Sequence, residues 1–160
     1  MADHSRPLEV EATRHVWREE LLQTGKAVLV PSGNSMWPMI RGGRDTVEIH
    51  RLEAPAKRYD LVLYFRGAKQ QGVLHRVLEA RDGEYIIAGD NTGWKETVPS
   101  GNVVGIVTRF CRKGKWHDVN ERGYGLYVRL WTDLYRLRSP VQLFRDRVKG
   151  KLKRMRNREA

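Results

Sequence analysis

The chain is 160 residues long, 40% hydrophobic and 31% charged, which is enough apolar material for one packed domain and too much for a disordered chain. A single cysteine, Cys111, excludes an internal disulfide framework and favours a reducing compartment, and no cysteine and histidine pair stands at zinc-ligand spacing. The formal net charge is +11, of which +8 falls between Arg136 and Ala160, where ten Lys or Arg face only Asp146 and Glu159, so the remainder is close to balanced.

From Pro7 to Thr24, Leu8, Ala12, Val16 and Leu22 recur near helical spacing and Gly25 supplies a stop, which predicts an N-terminal helix. Charged residues interrupt every run in the first thirty that could serve as a secretory segment. The uncharged stretch from Ala27 to Ile40 contains Pro31, Gly33, Asn34 and Pro38 and is too short to span a bilayer. A cytoplasmic chain, soluble or peripheral to the inner face of a membrane, is therefore expected.

After Gly25 the pattern changes to short runs of branched residues between Gly, Pro and Asp-Gly turns, which predicts strands at Ala27–Val30, Thr46–Ile49, Asp60–Phe65, Gly72–Ala80, Glu84–Ala88 and Val103–Phe110. Hairpins are expected at Arg66-Gly67-Ala68-Lys69 and Arg81-Asp82-Gly83. Helical periodicity returns near Tyr124, with Leu126, Tyr127, Leu130, Trp131 and Leu134 on one side. Ser139-Pro140 then reads as the cap and first turn of a last helix, which sets Val141, Phe144, Val148, Leu152 and Met155 against a basic face. The expected architecture is a mainly β, α+β fold: a helical segment at 1–26, a compact antiparallel β domain at 27–122 and basic amphipathic helices at 123–160.

Three segments carry candidate chemistry. Ser32-Gly33-Asn34-Ser35-Met36-Trp37-Pro38 places a hydroxyl in a glycine-containing loop, a composition that suits a nucleophile and an ordinary turn equally. In Gly72-Val73-Leu74-His75-Arg76-Val77-Leu78, strand alternation points His75 inward, either as a satisfied core residue or as a base for Ser35. Asp90, in the turn Gly89-Asp90-Asn91, either caps that turn or orients the His75 imidazole. His4 and His15 in the leader helix, His50 after a strand and His117 in a loop read as surface residues.

Taken in order, the boxes Ser32 to Pro38, Tyr59-Asp60-Leu61-Val62-Leu63-Tyr64-Phe65, Leu74-His75-Arg76-Val77 and Gly89-Asp90-Asn91 resemble the signal-peptidase superfamily of serine peptidases, which includes the self-cleaving repressors. The resemblance runs from about Val28 to Val107 and implies Ser35 as nucleophile and His75 as base, as in the histidine-type members. It further implies a carboxylate supporting the histidine, with Asp90 the first choice and Glu96 the alternative. The Ser35 N–H with Gly33 and Asn34 would form the oxyanion loop, and Met36 and Pro38 would contact substrate; no metal or cofactor is implied. An apolar anchor before the serine and a repressor-type DNA-binding domain are both missing from the pattern. The chain is therefore most similar to small bacterial members, for which a leader or propeptide of a precursor protein, cut after small residues, is the expected substrate.

Two further expectations concern the C-terminal helices. Their Lys and Arg cluster suits an anionic membrane surface. The alternative function is a non-catalytic module that binds peptide on a strand edge, or nucleic acid through Tyr124, Tyr127, Trp131 and Tyr135 interleaved with Arg129 and Arg136. Nucleic acid is the disfavoured partner, because the same aromatics fit a buried helix stripe.

Overall fold

Leu61-Val62-Leu63-Tyr64 is an unbroken apolar run, and such a run fits a strand covered on both faces. The computed structural model, which describes residues 17–67 and 71–156, places it at the centre of the molecule. Leu61 and Leu63 enter one core with Trp17, Met36 and Val107, while Val62 and Tyr64 enter a second with Val73, Val77 and Ile87. Each such side chain, fully removed from water, contributes about 1.5–3 kcal/mol.

The elements in chain order are α1 (17–24), β1 (Lys26–Leu29), β2 (Thr46–Arg51), β3 (Leu61–Arg66), β4 (Gln71–Arg81), β5 (Glu84–Ala88), β6 (Glu96–Pro99), β7 (Val103–Arg112), β8 (Lys115–Asp118), α2 (Arg122–Asp133) and α3 (Tyr135–Arg156), with a short 3-10 turn at Ser100–Asn102. The strands form one curled, half-barrel antiparallel sheet in the order β1-β2-β7-β3-β4-β5-β6, with β8 beside β7. This is the α+β class expected from the sequence.

Both expected hairpins join paired strands, β3 to β4 and β4 to β5, although residues 68–70 of the first loop lie outside the described residues. The register leaves two stretches of strand edge open. Strand β4 pairs with β3 along Gln71–Arg76 but with β5 only from Arg76 onward, so its 71–75 portion has a free edge. Among the described residues strand β1 pairs with β2 alone and has a free edge too.

Several expectations are corrected. Leu8, Ala12 and Val16 lie outside the described residues, and α1 turns Trp17 and Leu21, not Leu22, into the core. Strands β6 and β8 carry no clear signal in the sequence: β6 ends in a proline, and His117, expected in a loop, lies in β8, stacked on Phe110 and bonded to Glu121. Helix α2 buries Tyr124, Val128 and Thr132 and leaves Leu126 and Leu130 exposed, as is Leu134 just beyond its end. Helix α3 begins at Tyr135, with Pro140 inside it. Tertiary contacts outweigh the local Ser-Pro signal there, since Arg138 and Gln142, one turn apart, both bond the body of the protein.

Candidate active site

Ser35 lies in the crossing between β1 and β2. That loop closes on itself through Gly42 N–H to the Gly33 carbonyl at 3.0 Å and Gly43 N–H to the Pro31 carbonyl at 2.9 Å. A Cβ at Gly42 would collide with the Gly33 carbonyl oxygen, so only glycine permits this closure. The close approach is thus made by Gly42, while Gly33 supplies a φ of +79°. Arg41 N–H and the Arg44 guanidinium bind the buried Asp45 carboxylate and fix the far end of the loop.

The loop is clamped to the turn that follows β5. Asn91 N–H donates to the Ser35 carbonyl at 2.7 Å, and Asn91 Nδ2 to the Asn34 carbonyl at 3.1 Å. Asn34 therefore serves through its main chain, and its side chain is exposed. Gly89 packs between the two candidate reactants: a Cβ there would stand 2.7 Å from the Ser35 carbonyl oxygen and 3.1 Å from His75 Nε2. These two atoms are therefore at most 5.8 Å apart, the sum of the two distances. Among the described residues, the Ser35 hydroxyl and Ser35 N–H make no hydrogen bond.

His75 projects from β4 beside Tyr64 of β3, its diagonal neighbour in the ladder. Its Nδ1 lies 3.1 Å from the Tyr64 hydroxyl and 3.3 Å from Glu96 Oε1, and the Tyr64 hydroxyl itself donates to Glu96 Oε1. Because the single phenolic proton is directed at Glu96, the hydrogen between His75 and this pair belongs to Nδ1. That tautomer leaves Nε2 as an acceptor facing the Ser35 loop. Burial opposes ionisation of Glu96, but hydrogen bonds from His75 and Tyr64 and the nearby Arg66 charge outweigh it and hold the carboxyl below its ordinary value. Burial, followed by the Glu96 bond and charge, pushes the Tyr64 phenol upward, so it remains a donor. Trp94 covers the imidazole edge-on at 5.8 Å, and Arg66 lies over the Trp94 ring at 5.7 Å.

Asp90, the expected first partner of His75, lies elsewhere in the network. Arg76 Nε and Nη2 donate to its two carboxylate oxygens at 2.8 and 2.7 Å, and both side chains are 1% exposed. Alternation along β4 explains the exchange: His75 and Arg76 are adjacent and so leave the strand on opposite faces. His75 meets Glu96 on one face, and Arg76 meets Asp90 on the other. Burial opposes the Arg76 charge, but Asp90 and Tyr124 outweigh it and hold the guanidinium above its ordinary value.

The Asp90 main chain is also engaged. Trp131 Nε1, Arg138 Nη1 and Gln142 Nε2 donate to its carbonyl at 2.7, 2.7 and 3.1 Å, and Arg145 bonds Asn91 Oδ1 at 2.7 Å. Neither motif nor spacing points to a place in the site for these four residues or for Trp94, and Tyr64, although inside the box from Tyr59 to Phe65, carries no expected role. No protein-family model matches this chain, and no curated protein does.

Ser35 and His75 open into one pocket of about 750 Å³, lined also by Val28, Leu29, Met36, Val73 and Trp94. Met36 forms part of its wall; Pro38, joined to Trp37 by a cis peptide bond, lies outside the lining. The free edges of β1 and of the 71–75 portion of β4 both border it. Among the described residues no cluster of three His, Cys, Asp or Glu has metal-holding geometry.

Proposed function

We propose that this protein is a serine endopeptidase of the signal-peptidase type that removes a leader or propeptide on the cytoplasmic side, with Ser35 as nucleophile and His75 as base. The observation that carries the reading is the orientation of His75: Nδ1 is held by Tyr64 and Glu96, and Nε2 faces the loop of Ser35 across a shared pocket. The unpaired Cys111 suits a reducing compartment.

A substrate segment would lie extended between the free edges of β1 and β4, its main chain completing their ladders. Ser35 Oγ attacks the scissile carbonyl carbon while Nε2 takes the hydroxyl proton. The oxyanion gains the unbonded Ser35 N–H, a donor worth about 3 kcal/mol when aligned. Nε2 then gives the proton to the leaving amine, breaking the C–N bond. A water, deprotonated by the same nitrogen, attacks the ester carbon; the C–Oγ bond breaks and Oγ takes the proton back from Nε2, which releases the acid and frees Ser35. Glu96 balances the imidazolium formed at each stage, and Tyr64 fixes the ring.

The test measures cleavage of small-residue peptide libraries by wild type, Ser35→Ala and His75→Ala, together with labelling by a serine-directed acylating probe. Both variants should lose activity; cleavage at the wild-type rate by either would refute the assignment. The lack of a hydrogen bond between Ser35 Oγ and His75 Nε2 among the described residues favours a second reading, a peptide-binding module without hydrolysis. Peptide binding without cleavage or labelling would select it.

A further inference from the structure

Helix α3 has two faces with different duties. The inner face carries Arg138, Gln142 and Arg145, which hold the turn at residues 90 and 91. The outer face carries Leu137, Val141, Phe144, Val148 and Met155, which are 73, 68, 68, 39 and 59% exposed. At about 100° per residue these five fall within roughly 60° of one another. Leu126 and Leu130 of α2 are exposed as well. Arg147, Lys151 and Arg154, all exposed, border one side of the stripe. Among the described residues no helix is long and apolar enough to cross a membrane. An uncovered aliphatic stripe edged by dense positive charge is the pattern of a helix that lies in the plane of a bilayer interface.

We infer that the outer face of α2 and α3 docks on an anionic bilayer surface, with the stripe entering the headgroup boundary and the Lys and Arg side chains meeting lipid phosphates. Charge separates this occupant from the others. A second copy applied face to face would bring two segments of net +8 together, and like charges repel. Nucleic acid would match the charge but leave the aliphatic stripe in water. Of the aromatics, Tyr124 is buried, Tyr127 and Trp131 stack on each other at 5.6 Å and bond Asp90, and only Phe144 stands open on the outer face, where one ring gives no platform for successive bases. An anionic bilayer satisfies both the stripe and its basic border. This surface is independent of the peptidase reading.

The test is co-sedimentation of the full chain with phosphatidylcholine vesicles, with and without phosphatidylglycerol. Binding should require phosphatidylglycerol and weaken as salt rises. Val141→Asp with Phe144→Asp should abolish it. Arg147→Gln, Lys151→Gln and Arg154→Gln together should weaken it roughly a hundredfold, each basic side chain near an anionic surface carrying about a fivefold share. All five side chains are exposed, so both variants should melt with wild type, and either one alone suffices as a test. The inference is overturned by equal binding to neutral vesicles, by no binding to anionic ones, or by affinity unchanged in the folded variants. It is equally overturned by a concentration-dependent dimer that the Val141 and Phe144 changes abolish, or by salt-sensitive binding to a DNA duplex that exceeds vesicle binding.

Discussion

His75 Nδ1 and Glu96 Oε1 lie 3.3 Å apart, and the Tyr64 hydroxyl bonds both, so the imidazole is oriented by a carboxylate from β6 and a phenol from β3. Replacing Glu96 with glutamine keeps the shape but removes the charge that balances an imidazolium. Under the proposed function, kcat for peptide cleavage should then fall by about two to four orders of magnitude. Tyr64→Phe should cost roughly tenfold, in line with one hydrogen bond of about 1.4 kcal/mol. Near-wild-type turnover in Glu96→Gln would remove Glu96 from the mechanism.

The same carboxylate gives a pH signature. Its folded value lies below the ordinary 4.5, so its contribution to stability is complete above about 4.5 and is lost as pH falls through the folded value. The melting-temperature difference between wild type and Glu96→Gln should be largest near neutrality and shrink on acidification. A difference that grows below pH 4.5 contradicts the assigned direction.

Asp90 should behave differently from Glu96. With Arg76 and Asp90 both 1% exposed, Asp90→Ala leaves an unpaired buried guanidinium, at about 3–5 kcal/mol. At about 2–4 °C per kcal/mol for a chain this size, calorimetry should show a fall in melting temperature of roughly 10 °C. The double change Arg76→Met with Asp90→Leu should be milder than Asp90→Ala alone. If it is more severe, the pair's charge is not what stabilises this region.

Gly89→Ala tests the seam between Ser35 and His75. Its methyl would stand 2.7 Å from the Ser35 carbonyl oxygen and 3.1 Å from His75 Nε2, so one or both must move. A displacement near 1 Å costs on the order of a hundredfold in rate, against about 1–3 kcal/mol of stability. Probe labelling at the wild-type rate in a folded Gly89→Ala protein would show that the seam is not as tight as described.

Arg145 reaches the Ser35 loop through one residue: it bonds Asn91 Oδ1, and Asn91 N–H holds the Ser35 carbonyl. Arg145→Ala should lower kcat roughly tenfold while shifting the melting temperature only a few degrees, because the side chain is partly exposed. Arg145→Lys should rescue incompletely, since a lysine cannot reproduce the two-pronged contact with Asn91 Oδ1 and its carbonyl. Full rescue would argue for charge alone.

Legibility in the sequence followed the range of the forces involved. The six predicted strands are all present, because alternation and turn residues are local signals. His75 faces inward as its position in β4 implies. Glu96 is harder to place than Asp90, because its role depends on β6 folding back beside β5, a pairing set by non-local contacts and obscured by Pro99. The face of α2 departs from its periodicity for a related reason. The expected side joined Leu126 and Leu130 to Tyr127 and Trp131; the two aromatics do turn inward, held by polar bonds to Asp90 that hydrophobic periodicity cannot register, while the leucines stay exposed.

Three side-chain donors on one main-chain oxygen also impose an order in time. The Asp90 carbonyl receives its partners from 41, 48 and 52 residues further along the chain. During synthesis every residue of the sheet and of the Ser35 loop is joined before Gln142, and until then the turn that holds Ser35 lacks its outer support. The turn is thus tied to the last helix, so a chain interrupted before α3 would carry every residue of the Ser35, His75 and Glu96 set without the brace that holds the turn in place.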